Sequence, residues 1–170
     1  MNRVLARWNL LSAEEAAGEI VSCSGSAAWS RKMAVRRPLK DEASLLAASD
    51  EIWLGLRISD WMEAFSQHPR IGERKPPQPA SAQSAAWSEE EQHKVVAAGD
   101  SVRLALAESN RKYERRFQRV FIVCATGKSG PEILEILKRR LQNDEATELQ
   151  EAVEEQRKIM NIRLKKWISE

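Results

Sequence analysis

The chain of 170 residues is poor in cysteine and histidine, has no long apolar run, and carries no excess of charge of one sign. Each shortage excludes something. Cys23 and Cys124 stand at a spacing that fits no zinc motif, and two cysteines make no disulfide framework. Both read as small buried apolar residues of a reducing compartment. No stretch approaches the roughly 20 apolar residues of a membrane span. Met1 to Asn9 holds two arginines but no apolar signal core, and Trp167-Ile168-Ser169-Glu170 matches no retention, peroxisomal or prenylation signal. A cytoplasmic protein is expected by elimination. With 27 basic and 25 acidic residues, the net charge of +2 gives no reason to expect a nucleic-acid or membrane partner. Glycine-rich phosphate-binding signatures and internal repeats are also lacking.

What is present reads as helix. The composition, 42% hydrophobic and 31% charged, suits one globular domain over residues 1–170. Ser12-Ala13-Glu14-Glu15 is a capping box and predicts a short helix through Ile20 and Val21, before a turn at Gly25. Ala27 to Val35 predicts a second helix, stopped by Arg36-Arg37-Pro38. Asp41 to Leu56 predicts a third, with Leu45, Leu46, Ile52, Trp53 and Leu56 at three- and four-residue spacing. Ser59 or Asp60 is expected to cap a helix bearing Trp61, Met62 and Phe65. Gly72 to Trp87, with Pro76, Pro77 and Pro79, reads as stiff and extended. Ser88-x-x-Glu91 is expected to start a long helix with Val95, Val96, Val102, Leu104, Leu106, Tyr113 and Phe117 on one face, interrupted at Gly99. Ser129-Gly130-Pro131-Glu132 caps a helix to about Gln142, and a last helix runs from about Ala146 to Ile168. Between these, Phe121 to Gly127 reads locally as a strand, yet no partner strand is in sight. A lone strand leaves its amides and carbonyls in need of partners, a bound ligand among the candidates. The pattern predicts an all-α fold of about seven or eight helices.

Chemistry concentrates where helix gives way. His68-Pro69-Arg70-Ile71-Gly72 holds one of the two histidines at a predicted helix end, before a proline-fixed loop. An imidazole near its ordinary pKa of roughly 6.5 is the default proton shuttle. A histidine favoured by the helix dipole is the alternative. Glu91 is explained as a capping residue, or as a carboxylate that tunes a nearby histidine. Ser88 beside it is either a cap or part of an anion site. Arg163 falls on the apolar stripe of the last helix with Leu149, Val153, Gln156, Met160 and Trp167. It either snorkels outward or aims its guanidinium at a carboxylate in a pocket. Arg70 and Arg74 read as surface charges, with ligand contact as the alternative, and His93 reads as a surface residue. Two isolated histidines without a Cys or Asp cluster give no metal site, and no activated nucleophile pattern is present.

The order of these features is similar to the 2-oxo-4-hydroxy-4-carboxy-5-ureidoimidazoline (OHCU) decarboxylase family of urate degradation. The motifs are His68-Pro69-Arg70-Ile71-Gly72, Ser88-x-x-Glu91-Gln92, Tyr113-Glu114-x-Arg116-Phe117, Phe121-Ile122-Val123-Cys124-Ala125, Arg140-Leu141-x-Asn143-Asp144, Thr147-Glu148-Leu149 and Ile162-Arg163-Leu164. Departures are Leu39 after Pro38 in place of Phe, Gln118 where many relatives have Gly, and Arg70 where others carry Asp. The resemblance implies an all-α fold and decarboxylation of OHCU to (S)-allantoin with no cofactor and no metal. It implies His68, Glu91 and Arg163 as catalytic residues. Pro69, Ser88, Gln92 and the backbone of Phe121, Ile122, Val123, Cys124 and Ala125 would form the substrate site. A homodimer would fit the same reading. The rival readings are a helical module that binds ureides without turnover, and an interaction protein using its six tryptophans.

Overall fold

Helix caps set the architecture. The computed structural model describes residues 2–72 and 81–170, with only the backbone at Val96. The expected stiffness of Pro76, Pro77 and Pro79 and the role of Arg74 lie outside the described residues. Among the described residues there are ten helices and no strand, an all-α fold with more helices than expected.

The first extra helix is α1 (Arg3–Leu10), where the Asn2 side chain accepts from the amides of Val4 and Leu5. Capping boxes at Ser12 and Asp41 start α2 (Ala13–Ser24) and α4 (Glu42–Leu54), and Ser26 caps α3 (Ala27–Val35) between them. Gly25 ends α2 at φ 75°, in the left-handed region that favours glycine. In α5 (Ile58–Ser66) the expected cap is displaced. The Arg57 carbonyl accepts from Asp60 and Trp61, and the Asp60 carboxylate reaches back to the Arg57 amide. Asp60 thus serves as the third helical residue, not as the cap.

The long helix expected from Ser88 is three helices: α6 (Ala82–Glu91), α7 (His93–Val96) and α8 (Asp100–Phe117). Ser81, not Ser88, caps α6 by accepting from the Ser84 amide. The Ala-, Gln-, Ser- and Glu-rich run after Ser81 has the helix propensity that its missing apolar period concealed. Gly99 caps α8, the interruption expected there. Leu104, placed on the apolar face by spacing, is 72% exposed. A capping box at Ser129 starts α9 (Gly130–Arg140), and α10 (Glu145–Trp167) completes the set.

The chain forms two compact units, one of Met1–Ala64 with Arg157–Glu170 and one of Phe65–Gln156. The first has a tryptophan-centred core. Trp8, Trp29 and Trp53 are fully buried, and the Trp8 and Trp167 rings meet edge-on at 5.6 Å. The second packs Ile71, Val95, Leu106, Tyr113, Phe117, Phe121, Val123, Ala125, Ile133, Leu134 and Leu137 into one cluster. No helix among the described residues is long and apolar enough to cross a membrane.

Candidate active site

The loop that ends α5 is fastened residue by residue. The His68 amide donates to the Phe65 carbonyl at 3.2 Å, so the imidazole follows directly on the helix end. His68 and Pro69 are half-buried. Arg70 makes a two-pronged ion pair with Glu114 of α8, Nε to Oε1 at 2.5 Å and Nη2 to Oε2 at 3.0 Å. The surface charge expected at Arg70 is thus also an anchor. The buried Ile71 carbonyl accepts from Asn110 Nδ2 at 3.0 Å. Gly72 adopts φ +81° and donates its amide to Gln92 Oε1 at 3.2 Å. A side chain at that φ would be strained, and a Cβ would press on Leu106 at 3.4 Å. Three consecutive anchors leave the chain after His68 little freedom.

Gln92 ends α6, so this last bond ties the histidine loop to the segment that bears Ser88 and Glu91. Ser88 is buried in the last turn of α6, and Glu91 is its final residue, half-buried. Neither residue caps a helix N-terminus, contrary to the capping-box expectation. The exposed His93 ring contacts the Glu90 carbonyl through Nδ1 at 2.9 Å.

Phe121 to Ala125 is buried throughout and belongs to no helix or strand. Side chains supply what a partner strand would have given. Arg140 Nη1 donates to the Ile122 carbonyl at 2.5 Å. The Cys124 amide donates to Glu155 Oε2 at 2.7 Å, and the Cys124 carbonyl accepts from Lys128 Nζ at 2.8 Å. Burial pushes the Cys124 thiol up. Lys128 opposes that, while Glu155 and, more weakly, Glu91 add to it, which puts both carboxylates within electrostatic reach of the segment. Behind it lies a buried ionic group. Arg140 and Glu148 have no solvent exposure, Tyr113 Oη donates to Glu148 Oε1 at 2.5 Å, and Asn143 Nδ2 donates to Oε2 at 2.9 Å. The Arg140 guanidinium also lies 4.6 Å from the Phe121 ring centroid. Burial, and then the Glu148 carboxylate, raise the Tyr113 hydroxyl pKa, so Tyr113 stays a donor.

This arrangement invites comparison with known proteins. The family model described as OHCU decarboxylase matches residues 9–165. The chain belongs to the OHCU decarboxylase family. The "uric acid degradation bifunctional protein TTL" of Arabidopsis thaliana is 36% identical over 150 residues, which are 87% of this chain and 46% of that protein. The chain therefore spans just under half the length of that relative. The 2-oxo-4-hydroxy-4-carboxy-5-ureidoimidazoline decarboxylase of Amia calva is 31% identical over 129 residues, 75% of this chain and 73% of that one. A crystal structure of OHCU decarboxylase in the presence of (S)-allantoin superposes with a TM-score of 0.77 at 33% identity, covering 89% of this chain and 98% of the other.

In this family member, every candidate residue but one lies in the Phe65–Gln156 unit. Arg163 belongs to the other unit, where it is 2% exposed and donates Nη1 to the Ser22 carbonyl at 3.3 Å. It does not snorkel. Burial pushes the neighbouring Cys23 thiol up to about 12, and Arg163 pulls the other way. Both cysteines are free and buried, as expected. Among the described residues no cluster of His, Cys, Asp or Glu could hold a metal ion. An open depression of about 450 Å³ at the start of α9 is lined by Lys128, Pro131, Glu132, Glu135 and Ile136, none of them a candidate residue. The sequence reading assigned no role to Arg140, Glu148, Glu155 or Lys128. The signal for them was the partnerless apolar segment itself.

Proposed function

We propose that the chain catalyses decarboxylation of OHCU to (S)-allantoin. His68 acts as general acid/base, Glu91 assists it, and Arg163 orients the anionic substrate. The observation that carries the reading is the triple-anchored loop after His68, tied through Gln92 to the helix end bearing Glu91. A proton shuttle needs that fixity, because misplacement of a reacting group by about 1 Å can cost on the order of 10²-fold.

The chemistry follows from the substrate. The bond from the ring carbon to its carboxylate breaks, CO₂ leaves, and the electron pair passes onto the adjacent carbonyl as an enolate. Amides aimed at that oxygen stabilise the developing charge. The backbone of Phe121 to Ala125 is suited to supply them. A guanidinium at Arg163 can grip the carboxylate with two parallel bonds. Protonated His68 then returns a proton to one face of the carbon, which sets the S configuration. Pro69, Ser88 and Gln92 complete the substrate contacts in this reading.

The test generates OHCU in place with urate oxidase and hydroxyisourate hydrolase, then follows allantoin by circular dichroism. Wild-type protein is expected to give (S)-allantoin rapidly, above the slow racemic background. His68→Ala is expected to lose on the order of 10³-fold or more in turnover with its fold intact. Near-normal turnover in that variant would remove His68 from the mechanism. A well-folded wild-type protein with no activity would leave a ureide-binding module.

A further inference from the structure

In an extended backbone the N–H and C=O of one residue face one edge, and those of the next face the other. The segment Phe121 to Ala125 follows this alternation in its bonding. The carbonyl of Ile122 and both backbone groups of Cys124 are held by the side chains of Arg140, Glu155 and Lys128. Among the described residues nothing meets the amide or carbonyl of Val123, or the amide of Ala125. The Ala125 carbonyl closes a turn to the Lys128 amide at 3.0 Å, with Gly127 at φ +81°. Three of the four backbone groups that Ile122 and Cys124 turn to one edge are thus held by charged side chains, the Ile122 amide being the exception among the described residues, while the amides of Val123 and Ala125 on the other edge are left to something else. Val123 and Ala125 are both buried, where an unpaired amide is costly.

We infer that Arg140, Glu155 and Lys128 are positioning residues that stand in for a missing strand: by gripping the even-numbered edge they fix the amides of Val123 and Ala125 on the opposite edge for an anionic ligand. This rests on the decarboxylase reading for the ligand's identity, but not for the geometry. The three grips differ in kind. Arg140 is locked in the buried ionic group, so its removal disturbs the fold. Lys128 also lies in the turn. Glu155 of α10 is half-buried and reaches the segment by its carboxylate. It is the grip that lies outside both the buried Arg140–Glu148 group and the turn.

The experiment compares Glu155→Ala with Glu155→Gln, whose amide oxygen can still accept from Cys124. In ligand-free protein labelled with ¹⁵N, the Val123 and Ala125 amide resonances are expected to move in Glu155→Ala and to return toward wild type in Glu155→Gln. In the assay, Glu155→Ala is expected to lower kcat on the order of 10- to 100-fold with a smaller change in KM, because the amides act on charge that develops in the transition state. Glu155→Gln should recover most of that loss. Unmoved Val123 and Ala125 resonances in Glu155→Ala would overturn the inference whatever the enzyme does. So would a Glu155→Gln variant as slow as Glu155→Ala, since the carboxylate would then be acting in its own right. Wild-type protein with no turnover would sink the assigned reaction alone, and the spectra would still decide the positioning.

Discussion

The two units of this chain use buried side chains for different ends. In the Met1–Ala64 and Arg157–Glu170 unit, almost all the backbone is helix and satisfies itself. Five of the six tryptophans (Trp8, Trp29, Trp53, Trp61 and Trp167) lie there, and where a buried or half-buried cation meets backbone it meets a helix end. Arg37, for instance, donates to the carbonyls of Ala34, Trp8 and Leu11. The Phe65–Gln156 unit holds every phenylalanine and the single tyrosine, and its longest non-helical stretches among the described residues are 67–72 and 118–129. Its polar and charged side chains secure irregular backbone. Arg70, Asn110 and Gln92 secure one stretch, while Arg140, Glu155 and Lys128 secure the other. Helix closes its own hydrogen bonds, so a helical unit can be built on apolar packing. A unit that keeps non-helical backbone in its interior must bring in polar or charged side chains to hold it. All but one of the candidate residues sit in the unit that does so.

The comparison breaks most visibly at Glu148. Glu148→Ala leaves the Arg140 guanidinium buried without its carboxylate and removes the acceptor for Tyr113 and Asn143. A loss of about 3–5 kcal/mol is expected by urea unfolding. A much smaller loss would mean that the group is wetter than its burial indicates. The counterpart in the other unit is Arg37→Ala. It frees three helix-end carbonyls and removes a cation 5.2 Å from the Trp8 ring centroid. Water can reach some of those carbonyls, since Arg37 is only half-buried. A loss of roughly 1–3 kcal/mol is expected from the same measurement. If Arg37→Ala cost as much as Glu148→Ala, the contrast between the units would fail.

How far the sequence revealed this depends on the range of the interaction. Ser12, Asp41 and Ser129 were legible as caps because a cap is settled within four residues. Ser88-x-x-Glu91 satisfied the same local rule and was wrong, because Ser81 had already started the helix in a run without apolar periodicity. The helix at Arg3–Leu10 escaped notice because only Leu5 and Trp8 are buried on it, too few to show a period. At the site, His68 and Arg163 stood out for local reasons, one a histidine before proline and the other an arginine on an apolar stripe. Glu148, eight residues from Arg140 in sequence, pairs with it only because the turn at 141–144 brings the end of α9 to the first turns of α10. No spacing rule reports that pair. The partnerless segment reported only that some such residues had to exist.

Glu151 sharpens the comparison within a single helix. It lies three residues after Glu148 on α10 and takes the Arg139 guanidinium in a two-pronged pair at 2.8 and 2.7 Å. The Arg139 bonds, helped by Asn143 and opposed by partial burial, hold its carboxyl at about 2, below the ordinary 4.5. The folded value is depressed, so the stabilisation is fully present above the unfolded value and is lost as pH falls through the folded one. Wild type should therefore lead Glu151→Gln in urea unfolding at pH 7, and the lead should shrink between pH 4.5 and about 2. Side-chain exposures of 58% for Arg139 and 31% for Glu151 admit solvent screening. The lead should stay below about 1 kcal/mol and fall with added salt. Glu148→Ala should show no such salt dependence, because its ion pair has no solvent exposure. A lead for wild type over Glu151→Gln that survived unchanged at pH 2 would make the contribution one of packing, and the distinction between the two glutamates would then rest on burial alone.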